Sequence, residues 1–291
     1  LAKQTIFAEG ARGHLGKQLI KEFSLDEGKT PQHFAIGFKE IWEVDNDKHS
    51  PGDVVHSMGW PLKGGTSGGG FLYHFDNNKI AVGLIVDLNY SNPSHSPFQE
   101  FQQFKQHPSI KQFLESGKRF SYGARAITKG GINSLVKMEF DGGMIVGCDA
   151  GTLNPSKIKG SHCALQSGIL AAEYINKVLC EENCDFDDLF KNSALYKELY
   201  ESRNFSAAMH KFGFYLGATY NFIESNIFRN KLPFTIKDEN RDCDSLSLSK
   251  SSPLKEYPAP DNVLSFDITS SLFLSGTNHE EDQPVHLKLT D

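Results

Sequence analysis

No stretch of this 291-residue chain reaches the roughly 18–20 uncharged apolar residues that a spanning helix needs, which excludes a bitopic membrane protein. Positive charge is not in surplus either. The 30 Lys and Arg residues stand against 36 Asp and Glu, a formal net charge of −6, which argues against nucleic-acid binding over the whole surface. Cysteine is scarce: Cys148, Cys163, Cys180, Cys184 and Cys243 contain no CxxC pair, and their irregular spacing speaks against a disulfide framework and for a reducing compartment. Cys180 and Cys184, four apart near a predicted helix end, read as ordinary thiols. The chain opens at Leu1 with no basic, apolar leader, so a targeting signal is expected upstream. No internal repeat or low-complexity tract occurs.

What is present is enough chain for one large α/β domain or two ordinary ones. Residues 4–8 read as a buried strand, ended by Glu9-Gly10 and followed after Gly13 by an amphipathic helix with Leu15, Leu19, Ile20 and Phe23. A domain seldom begins with a core strand, so the chain reads as a segment of a longer protein. Strands are predicted over 34–44, 71–75 and 80–86, the last two joined as a hairpin by Asp76-Asn77-Asn78, with a helix over 97–114 broken near Pro108. A short buried strand over 144–147 precedes a long helix over 160–179; helices follow from 187 to 228, then a polar Ser/Pro/Asp-rich surface linker over 231–260.

Two places have the chemistry of an anion site. The run Val146-Gly147-Cys148-Asp149-Ala150-Gly151-Thr152-Leu153-Asn154-Pro155, then Lys159-Gly160 and a helix, combines close backbone approach with a helix N-terminus whose free N–H groups suit a pyrophosphate. Asp149 is placed to hold a ribose or ribityl hydroxyl. The competing reading is an ordinary strand-to-helix turn. Residues 5–15 repeat the theme with Glu9-Gly10 at a strand end, which by itself also reads as a capped helix start. In this order the two pieces resemble the later fingerprints of flavoproteins of the hydroxylase and geranylgeranyl reductase type. The GxGxxG that such proteins carry in an early strand is missing here.

A closer resemblance is carried by Gly59-Trp60-Pro61-Leu62, by Gly68-Gly69-Gly70-Phe71-Leu72-Tyr73-His74, by Asn92-Pro93 to Pro97-Phe98-Gln99-Glu100-Phe101 and by His107-Pro108-Ser109-Ile110. It continues through Gly117-Lys118-Arg119, Tyr122-Gly123-Ala124-Arg125-Ala126, Pro155-Ser156-Lys157-Ile158-Lys159-Gly160 and Gly276-Thr277-Asn278-His279-Glu280. In one register over essentially the whole chain, these resemble the electron-transfer-flavoprotein:ubiquinone oxidoreductases. The resemblance implies an α/β (α+β) FAD-binding flavoprotein fold with an inserted antiparallel sheet that binds quinone. It also implies a monotopic enzyme on the matrix face of the mitochondrial inner membrane, passing electrons from electron-transfer flavoprotein through FAD and a 4Fe-4S cluster to ubiquinone. The implied organisation is residues 1–30 and 141–185 for FAD, 31–140 for quinone, 186–230 as a helical membrane-surface segment, and 231–291 as linker and lead-in to an iron–sulfur domain beyond Asp291.

The residues implied for FAD are Glu9, Gly10, Gly147, Asp149, Gly151, Asn154, Pro155 and Gly160; those for quinone are Gly68 and Gly69. Many relatives place the acid directly after the glycine, whereas Cys148 follows Gly147 here. The five cysteines lack cluster spacing, so no metal ligand is assigned. The loose set from Asn278 to Asp282 with His286 fits no standard metal pattern. No acid/base triad or nucleophile is expected for electron transfer. Over 209–228, Met209, Phe212, Leu216, Tyr220, Ile223 and Ile227 follow one face of a predicted interfacial helix, with insertion led by Phe212, Phe214, Tyr215 and Leu216. Two rivals remain open: a flavin-dependent reductase or hydroxylase acting on a lipid, and a non-catalytic membrane-associated fragment.

Overall fold

The computed structural model describes residues 2–63 and 66–283. The chain begins with β1 (Thr5–Phe7) and α1 (His14–Glu22), and continues through β2 (Phe34–Glu43), β3 (Val54–Met58), β4 (Gly68–Phe75) and β5 (Lys79–Asp87). Next come α2 (Pro97–Lys105), α3 (Pro108–Leu114), β6 (Lys118–Thr128), β7 (Glu139–Phe140), β8 (Gly143–Ile145) and α4 (Gly147–Ala150). The helices α5 (Ser161–Leu179), α6 (Phe186–Lys191), α7 (Ala194–Glu201), α8 (Phe205–Asn226) and α9 (Ile268–Phe273) complete it.

The larger sheet is antiparallel throughout, in the order β3-β4-β5-β2-β6. Asp76 and Asn78 take positive φ in the β4–β5 hairpin, as the Asp-Asn-Asn signal predicts. The helix expected over 97–114 is two helices. Pro97 and Pro108 each stand in a first turn, where Ser96 Oγ and His107 Nδ1 accept the N–H groups of Gln99 and Ser109. Phe98, Phe101 and Phe104 of α2 pack on Phe38, Leu72, Val82 and Leu84 of the sheet to form its core. Two strands of this sheet escape the sequence reading, as does the short β7 of the other. β3 and β6 are the sheet's edges, and edge residues such as Val54 (59% exposed) and Phe120 (62%) blur the alternation that marks a half-buried strand. Gly68, Gly69 and Gly70 belong to β4 and not to a turn before it.

The second sheet has the order β1-β8-β7, with β1 parallel to β8. Its β1 is not the buried strand expected: Ile6 is 45% exposed, because β1 pairs only with β8 among the described residues. A second core gathers Met144, Ile145 and Val146 with Cys163 and Ala171 of α5, Phe186 of α6, and Leu195 and Leu199 of α7. The linker expected over 231–260 has only short 3-10 turns, but it is fastened to the fold. Asp242 accepts the Phe34 N–H at 2.7 Å, Lys255 pairs with buried Glu100, and Tyr257 donates its hydroxyl to Glu100 at 2.6 Å. Beyond it, Leu264 and Phe266 pack into the core of the larger sheet.

α8 departs most from expectation. It is broken at Gly213, where φ 73° and ψ −177° suit glycine and reverse the chain. The two halves lie against each other: Asn221 Nδ2 donates to Phe205 O at 3.2 Å and Asn204 Nδ2 to Glu224 Oε1 at 2.6 Å. The single apolar face drawn from Met209 to Ile227 therefore does not exist. The same break explains the polar second half of the segment, since Asn221 and the buried Glu224 turn inward on the first half. Phe212, Phe214, Tyr215 and Leu216 are left exposed at the turn.

Candidate functional site

The turns at Glu9-Gly10 and Gly147–Gly160 come together because β1 and β8 run parallel and both end there, the edge where ligands gather in α/β folds. Asp149 Oδ1 accepts the Gly13 N–H at 3.0 Å, and Glu9 Oε2 accepts the Gly16 N–H at 2.7 Å, so both carboxylates grip the first turn of α1. Asp149 Oδ2 is buried with no hydrogen-bond partner. Burial pushes the Asp149 carboxyl up, the Gly13 N–H pulls it down, and Glu9 raises it again. Gly13 and Gly16 were missed in the sequence; the spacing Gly10-x-x-Gly13-x-x-Gly16 was the available signal. A Cβ on Gly16 would lie 2.5 Å from both Asp149 oxygens. Helix propensity alone gives Gly16→Ala about 1 kcal/mol of added stability. The expected result is the opposite, a lowered melting temperature that Asp149→Ala partly restores; a raised one would show that α1 does not depend on this contact.

Gly147 donates its N–H to Ser167 Oγ at 2.9 Å, and Gly151 ends α4 in the left-handed region. Asn154 Oδ1 accepts the N–H groups of Ser156 and Lys157 and so shapes the turn that holds Pro155. Gly160 is the N-cap of α5 and leaves its first turn without a side-chain cap. Glu198 on α7, also missed, binds the whole loop: its Oε1 accepts from Asn154 at 2.8 Å, Lys157 at 3.0 Å and His162 at 2.8 Å. Burial would raise its carboxyl, but those hydrogen bonds outweigh that and hold it at about 2. With Cys163, this cluster has the geometry of a metal site. The Lys157 ammonium on the same oxygen and a thiol that burial pushes up to about 11 both oppose a cation.

Between this loop and the larger sheet lies a cavity of about 1970 Å³. Gly68, Gly69 and Tyr73 line it on the sheet side, Ser156 to Lys159 on the loop side, and Phe212, Phe214 and Tyr215 at the α8 turn. Lys159 spans it, donating to Tyr73 Oη at 3.1 Å. The glycines have a packing reason of their own: a Cβ on Gly68 would stand 2.2 Å from Ile85 O, and one on Gly69 2.8 Å from Ser57 O. Leu216 is 70% exposed and outside the lining. A set of charged groups that sequence reading missed also faces the cavity. Lys129 binds Asp87 at 2.6 Å, His210 binds Asp238 at 2.8 Å, and His33 lies between Asp238 at 3.3 Å and Asp242 at 2.8 Å. These residues are far apart in sequence, so no local motif announces them.

The family model described as "ETF-QO, ubiquinone-binding" matches residues 34–127, which are the larger sheet with α2 and α3. The electron transfer flavoprotein-ubiquinone oxidoreductase of Pseudomonas aeruginosa is 57% identical over 100% of this chain and 54% of its own length. The mitochondrial one of Sus scrofa is 48% identical over 100% of this chain and 49% of its own length. The chain belongs to the electron transfer flavoprotein-ubiquinone oxidoreductase family. It spans about half the length of the curated relatives it matches.

The fold agrees with the flavoprotein type expected of that family. A geranylgeranyl bacteriochlorophyll reductase-like protein from Thermoplasma acidophilum superposes with TM-score 0.57 at 16% identity, over 76% of this chain and 53% of that one. The flavin-dependent brominase Bmp2 gives 0.50 at 16% identity, over 79% and 56%. A second family model, for the 4Fe-4S region of the oxidoreductases, matches residues 262–291 and so starts inside the stretch read as lead-in. Residues 262–291 have no cysteine, and the five elsewhere are scattered, so the residues of this chain do not fit a cluster. They do fit FAD: a buried, unpartnered Asp149 oxygen and the uncapped start of α5 flank one loop. Of the loose metal set, His286 lies outside the described residues.

Proposed function

We propose that this chain forms the quinone-binding part, and part of the flavin site, of an enzyme that takes electrons from reduced electron-transfer flavoprotein and delivers them to ubiquinone. The whole protein carries FAD and a 4Fe-4S cluster on this reading. The observation that carries it is the shared cavity, where the sheet matched as ubiquinone-binding meets the Asn154-Pro155 loop and the apolar turn of α8. FAD supplies one-electron and two-electron carriage when bound. Glu9, Gly10, Gly147, Asp149, Gly151, Asn154, Pro155 and Gly160 would hold and orient it, and the uncapped α5 start would offer its N–H groups to a pyrophosphate. Gly68 and Gly69 let a planar quinone head approach the main chain.

The setting is the surface of a respiratory membrane, reached by Phe212, Phe214, Tyr215 and Leu216. No helix among the described residues is long and apolar enough to cross a membrane. Relatives are both bacterial and mitochondrial, and the mitochondrial relatives support the mitochondrial form of this setting. The full-length protein is expected to show flavin bands with an iron–sulfur shoulder, and to reduce ubiquinone with electron-transfer flavoprotein but not with NAD(P)H. Oxidation of NAD(P)H without quinone turnover would turn the reading to a flavin reductase or hydroxylase; a colourless protein would turn it to a non-catalytic role. Gly69→Ala is a poor probe of the quinone contact, because its Cβ strains the β3–β4 pairing whether or not quinone binds.

A further inference from the structure

Reduction of a quinone to a hydroquinone consumes two electrons and two protons, and the wall of the cavity beside the glycines holds a proton-bearing group. Asp87 closes β5 next to the start of β4, where its N–H donates to Ser67 O at 3.0 Å, one residue before Gly68. Its carboxylate is 3.8 Å from His210 Nε2. That is too long for a direct hydrogen bond, and it leaves the Nε2–H able to reach a water or a substrate oxygen. The other ring nitrogen, Nδ1, is held by Asp238 at 2.8 Å. We propose that His210 is the proton donor to the quinone carbonyl bound beside Gly68 and Gly69, with Asp238 as the residue that positions it.

Every element packed against this ring supplies a charged or titratable group: Asp87 from β5, Lys129 from the end of β6, His33 from just before β2, and Asp238 from the segment after α8, with Lys211 next to it on its own helix. Burial would lower the imidazole, but the hydrogen bond to Asp238 and the nearby Asp87 carboxylate outweigh it and raise His210 to about 9, so it is an imidazolium at neutral pH. In the step, the His210 Nε2–H bond breaks and an O–H bond forms on the quinone oxygen as the ring accepts electrons from the reduced enzyme. The second carbonyl oxygen takes its proton from water. Neutral His210 is then protonated again from solvent when the hydroquinone leaves. Asp242, bonded to His33 at 2.8 Å, fixes the far side of Asp238.

This inference rests on the quinone-reducing reading above, and the test separates the two. Steady-state ubiquinone reduction by the full-length holoenzyme is followed from pH 6 to 10. Wild type is expected to lose rate as pH rises through about 9, where His210 loses its proton. His210→Gln is expected to lower kcat about tenfold or more and abolish that alkaline limb, with flavin content and flavin reduction by the electron donor as controls. Asp238→Asn keeps the shape but removes the charge that raises His210, and is expected to move the limb to lower pH; it serves as the readout if His210→Gln folds poorly. A limb that stays in place in Asp238→Asn, or in a well-folded His210→Gln, overturns the proton-donor role. Absence of quinone reduction in wild type overturns the functional reading itself.

Discussion

Glu40→Gln is expected to destabilise the larger sheet by about 3–5 kcal/mol, the cost of leaving buried charge without its partner. Glu40 and Lys105 are fully buried and Arg119 nearly so. Lys105 Nζ reaches both Glu40 oxygens, at 2.8 and 3.1 Å, Arg119 reaches one at 3.2 Å, and Trp42 Nε1 donates to the other at 2.9 Å. Trp42, Phe101 and Phe266 surround the ammonium at 5.0–5.7 Å, so little but the carboxylate and the ring faces replaces water. The glutamine keeps the Trp42 bond yet strands two cations.

The pH dependence has a definite sign. Burial lowers Lys105 to about 8 from its ordinary 10.5, although Glu40 raises it. Between about 8 and 10.5 the unfolded chain binds more protons than the folded one, so stability rises with pH across that window. With Glu40 neutralised, Lys105 falls further and the rise begins at lower pH. Thermal unfolding across pH measures both effects. A melting temperature for Glu40→Gln within a degree of wild type would mean that Lys105 has another counter-ion.

Legibility in the sequence followed the range of the interactions. The boundaries of β2, the β4–β5 hairpin and the split at Pro108 are set by alternation, Asp-Asn turn chemistry and proline, all local, and the chain follows them. Glu9 and Asp149 were singled out because each follows a strand in a glycine-containing turn, and the parallel β1–β8 pair brings them together. Glu198, His210, Asp87 and Lys129 were not found. Their meaning comes from side chains 28 to 44 residues or more away, as in Lys129 with Asp87 (separation 42) or Asn154 with Glu198 (separation 44). The error over 209–228 has a different cause. Helical periodicity was carried through Gly213, where a single positive φ turns one helix into a hairpin and draws Asn221 and Glu224 inward.

That hairpin sharpens the membrane prediction. A straight amphipathic helix lies along a surface, whereas a helical hairpin presents its turn, and the turn of α8 carries Phe212 (42% exposed), Phe214 (46%), Tyr215 (83%) and Leu216 (70%). Phe212, Phe214 and Tyr215 also line the cavity, so a quinone leaving a bilayer would meet them first. Each apolar side chain fully transferred from water contributes roughly 1.5–3 kcal/mol. Changing Phe212, Tyr215 and Leu216 together to Ser is therefore expected to lower partitioning of the full-length protein onto liposomes by about 100-fold or more. The fold is expected to tolerate the change, because the polar contacts that join the two halves of α8 run through Asn204, Asn221 and Glu224, and the changed side chains add to them the Phe212–Tyr220 ring contact at 6.0 Å. Quinone reduction should fall for ubiquinone held in vesicles while a short-chain, water-soluble quinone is still reduced. A well-folded variant that partitions as wild type does would rule out this turn as the anchor.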